Sequence, residues 1–147
     1  MALKKPARTA QRPLVAEFSW NFDDTMVNTA GNTVDFGKVN AGGAAGKFDV
    51  INLPVGAIVT GGALHVETAF DTAGYDVTIG DADSENRYLT STDVKGTGLT
   101  ALVPTGLRGT GKNIRLCFSS DDVCTTGKAH LRVEFVIDGK AEEVYPV

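Results

Sequence analysis

The strongest constraint on this chain is a repeat of two. From Leu14 to Phe22, "LVAEFSWNF" sets Leu14, Ala16, Phe18, Trp20 and Phe22 on one side and Glu17, Ser19 and Asn21 on the other. Successive side chains of a strand point to opposite faces, so such a segment buries one face and wets the other. The same phase returns in "KFDVINL", with Phe48 and Val50 against Lys47 and Asp49, until Pro54 removes a ladder donor. "ALHVETAF" sets Leu64, Val66, Thr68 and Phe70 against His65 and Glu67. "YDVTI", "NIRLCF" and "HLRVEFVI" repeat it, the last with Leu131, Val133, Phe135 and Ile137 against His130, Arg132 and Glu134. Weaker strand candidates lie at Thr33–Phe36, Arg87–Ser91 and Glu143–Tyr145. Helical periodicity is nearly absent.

What separates these runs is glycine and other turn chemistry: "NTAGN", "NAGGAAG", "DTAG", "KGTG", "PTGLRGTGKN" and "SSDD". Glycine supplies 17 of 147 residues, without a period, and reads as punctuation between short elements, the pair Gly61 and Gly62 included. Clean alternation means antiparallel sheets with one wet face. Many short strands of this kind predict an all-β protein, an antiparallel β-sandwich. Some connections are long enough to cross between sheets, which makes the sandwich jelly-roll-like. A chain of this length is read as one sandwich domain over 14–147.

Residues 1–13 stand apart as a basic, extended N-terminal arm. "MALKKPARTAQR" holds Lys4, Lys5, Arg8 and Arg12 and no acid, whereas the whole chain carries a net charge of -4. Pro6 and Pro13 disfavour a helix there. Such an arm suits an acidic surface, on this chain or a partner, and no specific nucleic acid is called for. No apolar run reaches the ~18 residues that span a membrane. The basic start has no apolar segment after it, which argues against a secretory signal. In a reducing cytoplasm, Cys117 and Cys124 are expected to stay thiols.

Several motifs come close to chemistry and fall short. "GLRGTGKN", Gly106 to Asn113, has the spacing of a phosphate loop, but Asn113 stands where the Mg²⁺-binding Ser or Thr belongs. A strand-like run follows it, where a helix N-terminus is needed. "GAAGKF" fails likewise. The two histidines, His65 and His130, each occupy the polar phase of a strand, and nothing in the sequence brings either to Cys117. The aromatic rings fall in the apolar phase, where core packing explains them. No catalytic residue, cofactor site or metal site is therefore assigned.

The densest polar stretch is "GDADSENRYL", with Asp81, Asp83 and Glu85 at every other position. Laid on the calcium-loop template, Asp81 and Asp83 match positions one and three. Asn86 replaces the glycine at six, and Thr92 replaces the bidentate Glu at twelve. As a glycosidase pair, two carboxylates in one turn leave no room for a sugar between them. The expectation is a structural acidic turn, with Asp81 and Asp83 bonding their own backbone, Arg87 balancing charge beside Glu85, and Tyr88 and Leu89 anchoring the exit. A weak cation site there stays open.

"FDVINLPVGAIVTGGALHVETAFD" and "DVTIGDADSENRYLTSTDV", residues 48–94, together resemble capsid decoration (cement) proteins of tailed bacteriophages. The shared pattern runs through Leu53, Pro54, Gly56, Ala57, Val59, Gly61 and Gly62. It continues through Val66, Thr68 to Asp71, Gly80, Asp81, Asn86 to Leu89, Asp93 and Val94. Its second acid falls one place off, because Asp83 precedes Ser84. The resemblance implies a non-enzymatic, jelly-roll-like structural protein of the virion, made in the host cytoplasm. It would sit on the capsid exterior as a dimer or trimer, bound to the major capsid protein. It implies no cofactor, and the arm residues match nothing in the pattern. A carbohydrate- or host-surface-binding β-sandwich is the alternative from another class.

Overall fold

The computed structural model describes residues 2–6 and 10–140. The strands are β1 (Leu14–Asn21), β2 (Thr25–Val27), β3 (Thr33–Asp35), β4 (Lys47–Ile51), β5 (Val55–Thr68) and β6 (Tyr75–Gly80). They continue as β7 (Leu89–Asp93), β8 (Gly98–Ala101), β9 (Arg108–Thr110), β10 (Ile114–Ser120) and β11 (Lys128–Ile137). Every register is antiparallel. One sheet has the order β1-β11-β5-β8, with β9 also on β5; the facing sheet has the order β4-β10-β6-β7. β2 and β3 form a separate hairpin.

The pairs β1/β11, β4/β10, β5/β8 and β6/β7 are nested in sequence, first with last and inward. That is a single antiparallel ribbon folded over on itself, the eight-stranded double-sheet jelly roll. The chain is an all-β sandwich of antiparallel sheets.

Between the sheets lies one cluster of buried apolar side chains. Its centre is aromatic. Trp20 from β1 and Phe70 after β5 meet Phe48, Tyr75 and Phe118 of the facing sheet, with Phe36 wedged in from the hairpin. Phe70 and Tyr75 stack at 4.4 Å between centroids, and Tyr75 and Phe118 at 5.0 Å. The Tyr75 hydroxyl donates to the Phe36 carbonyl at 2.9 Å, which satisfies its polar tip, while the Trp20 Nε1 is buried without a hydrogen-bond partner. Burial lifts that hydroxyl's pKa far above the phenol range.

The structure departs from the sequence reading in one large way. Gly61 and Gly62 do not end an element; they lie inside β5, the longest strand. The register on β11 steps from Glu134↔Gly61 to Phe135↔Val59, leaving Thr60 as an extra residue. This bulge reverses the phase: odd-numbered Ala57 and Val59 are buried before it, even-numbered Leu64 and Val66 after it. Gly62 faces the core at φ +131°, and a Cβ there would stand 2.1 Å from the Arg132 carbonyl oxygen. Only glycine fits. β2, β8 and β9 are further strands the alternation did not flag, and the candidate at Glu143–Tyr145 lies outside the described residues.

Candidate interaction site

The arm enters the sandwich at the start of β1. Gln11 holds it there: its Nε2 donates to the carbonyls of Ile137 (2.6 Å) and Lys140 (3.0 Å), and its Oε1 accepts from the Ile137 N–H (2.8 Å). Gln11 thus acts as one more rung beyond the end of β11. Residues 2–6, with Lys4 and Lys5, are exposed. Arg8 lies outside the described residues. Arg12 sits one residue beyond the Gln11 clamp.

The acidic stretch is the β6–β7 connection. Asp81 Oδ1 accepts from the N–H groups of Asp83 and Ser84, both at 2.9 Å. Arg87 Nε donates to Asp81 Oδ2 at 2.7 Å, and Nη2 reaches Oδ1 at 3.3 Å. Asp81 is only 7% exposed. Burial alone would raise its pKa; the Arg87 guanidinium and the two turn amides outweigh that and hold it below the usual carboxylate range. Gly80 is required here, because a Cβ would stand 2.1 Å from the Ser84 carbonyl oxygen.

The other two acids leave the turn. Asp83 pairs with Lys112. Glu85 accepts from Lys47 Nζ at 2.6 Å and from the Cys117 thiol at 3.2 Å. The Lys47 bond is the main cause that lowers the Glu85 pKa. Burial, with the Glu85 carboxylate next to it, pushes the Cys117 thiol up to about 11. Cys117 is therefore a protonated, poorly nucleophilic thiol at neutral pH. Cys124, also free, is likewise pushed up to about 11 by burial.

"GLRGTGKN" and "GDADSENRYL" face each other across a cavity of about 150 Å³. Asp81, Asp83, Arg87 and Tyr88 line one side; Leu107 to Thr110 and Lys112 line the other. Arg108 pairs outward with Asp138 at 2.9 Å. Arg108–Thr110 is strand β9, with no helix following, so its amides serve a sheet and not a phosphate. Each cation in this cavity has an acidic partner, and the two loops clasp one end of the sandwich.

The histidines do meet. His65 on β5 and His130 on β11 are direct cross-strand partners on the wet face of the β1-β11-β5-β8 sheet. Glu17 on β1 reaches both His130 Nε2 (3.5 Å) and Arg132 Nη2 (3.2 Å). Gly62 and Ala63 floor a groove of about 310 Å³ between His65, His130, Arg132, Glu134 and Leu99, with no Phe, Tyr or Trp in its lining. Cys117 is on the facing sheet, so the sandwich thickness separates it from both histidines. Each histidine was visible in the sequence as a polar-phase residue, but strand order alone pairs them. Gln11 carried no sequence signal at all.

No protein-family model matches this chain, and none of the curated proteins matches it. Among solved structures its fold is similar to a chain in the capsid asymmetric unit of cyanophage Pam1. The TM-score is 0.58 at 20% identity, over 93% of this chain and 94% of that one. It is also similar to a chain in the acidic stable capsid structure of Helicobacter pylori bacteriophage KHP30. There the TM-score is 0.57 at 18% identity, over 92% of this chain and 95% of that one. The jelly-roll sandwich is thus shared nearly end to end with chains found in two phage capsids.

Proposed function

We propose that this chain is a non-enzymatic structural protein of a phage virion. It binds the outer surface of the capsid as a homo-oligomer and stabilises contacts between major capsid proteins. The observation that carries this reading is the likeness to chains of two phage capsids over more than nine-tenths of both partners. The "LPVGAIVTGG" and "GDADSENRYL" segments, which resemble decoration proteins, point the same way. In the structure they become the bulged half of β5 and the clasped turn, both architectural parts. Residues 1–13 are the arm and the rest the sandwich; Lys4, Lys5, Arg8 and Arg12 supply contact with acidic capsid or subunit surface. Many copies of so small a module on one shell gain strength through multivalency.

The test is co-sedimentation of the purified chain with assembled shells that lack it. Near-stoichiometric occupancy relative to the major capsid protein is expected. Deleting residues 2–12 should weaken binding at low salt, and the difference from the full chain should shrink as salt is raised. Unchanged occupancy of the deletion at physiological salt would sink the role of the arm; absence of binding by the full chain would sink the reading itself.

A further inference from the structure

Sheet edges invite pairing, and folded proteins blunt them with short strands, bulges, Lys or Pro. β8 is four residues long, and β4, β7 and β9 all carry register shifts. β1 has none of these devices. It runs eight residues without a register shift and contains neither Lys nor Pro. Among the described residues its outer edge pairs with no strand. Its core-facing row is also under-covered: Leu14 is 43% exposed, and Ala16 and Phe18 are only partly buried.

We infer that β1 pairs with β1 of a second copy, antiparallel, about a two-fold axis through Phe18. This joins the two β1-β11-β5-β8 sheets into one. The Phe22 N–H donates to the Gly127 carbonyl, so even-numbered residues of β1 turn their backbone groups toward β11 and odd-numbered residues turn theirs outward. The outward N–H of Asn21 is already taken by Asp24 Oδ2 at 2.7 Å. Val15, Glu17 and Ser19 are left to bond a partner.

Antiparallel partners present their groups to each other, so odd must face odd. A register with Glu17 opposite Glu17 sets like charges together. One with Ser19 opposite Ser19 pairs fewer residues. With Glu17 opposite Ser19, those two residues exchange both backbone bonds, and Phe18 meets Phe18 in the close, non-hydrogen-bonded position. Ala16 then faces Trp20, and Leu14 faces Phe22. The same register brings Arg12, two residues before β1, toward the turn after β1 of the second copy, which holds Asp23 and Asp24, with Asp35 of β3 beside it. This charge match between the two ends of β1 is why the occupant is a second copy of this chain.

The inference deepens the homo-oligomer part of the proposed function, but it is measured without shells and so fails separately from capsid binding. Sedimentation equilibrium of the full chain should show a dimer. Ser19→Pro deletes an outward N–H and leaves the β11 ladder intact; it should raise the dissociation constant at least about tenfold. In the unmodified chain, amide exchange at Glu17 and Ser19 should slow with concentration while exchange at Ala16 and Phe18 does not. A monomer up to about 1 mM would overturn the inference. So would a dimer in which those two amides exchange as freely as in the dilute chain, since the contact would then lie elsewhere, on the arm or the His65 face.

Discussion

Asp81 shows how one side chain can settle what a motif does. Its two oxygens hold two turn amides and the Arg87 guanidinium. A cation placed on them would meet that positive group, so calorimetric titration with Ca²⁺ should show no tight binding. Asp81→Ala should lower stability by about 2–3 kcal/mol in urea unfolding, because it strips both amides and leaves Arg87 without its partner. Asp71 does related work at the other end of the sandwich. Its carboxylate accepts from the N–H and hydroxyl of Thr125 and from the Thr126 N–H. Led by the Thr125 hydroxyl, these bonds bring its pKa down from 3.8 to about 2. A carboxyl depressed on folding contributes stability above its unfolded pKa and loses it as pH falls through the folded one. Thermal melts should therefore fall between about pH 4 and pH 2, and Asp71→Asn should flatten the slope in that window.

At the scale of elements, β5 carries the most unusual requirement. The bulge at Thr60 lets one strand serve two registers, with β9 on its first half and β8 on its second. Gly62 makes the crossing of β5 over Arg132 possible. Gly62→Ala should cost about 2–4 kcal/mol, from backbone strain and the clash together. A drop in the urea midpoint with m unchanged would check it. The sequence could not show β5 whole, because a bulge reverses the alternation that marks a strand, and because glycine pairs mark turns far more often than strand interiors. β1, β6, β10 and β11 have unbroken phase in sequence and were legible for that reason. β8 and β9 are too short and too polar to stand out, and exist because β5 offers them an edge.

Across the whole molecule, acids crowd one end, where the loops after β1, β5 and β10 bring Asp23, Asp24, Asp71, Asp121 and Asp122; at the other end Arg12 precedes β1, and Arg108 and Lys112 are paired with Asp138 and Asp83. Paired side by side and antiparallel, two copies bring unlike ends together. If the arm works by this field, raising salt should weaken both self-association and shell binding, measured by sedimentation at low and high ionic strength.

By itself the sequence determined the all-β class, the antiparallel sheets and the two sides of most long strands. These follow from local rules: a period of two and the turn residues that interrupt it. It also showed that "GDADSENRYL" lacks the residues a calcium loop needs. Only the tertiary structure decided which strands are neighbours. That choice set His65 beside His130, sent Asp83 to Lys112 and Glu85 to Lys47, and left the outer edge of β1 without a paired strand among the described residues. Pairing between strands far apart in sequence rests on how the whole ribbon folds over its core, and no local pattern encodes it.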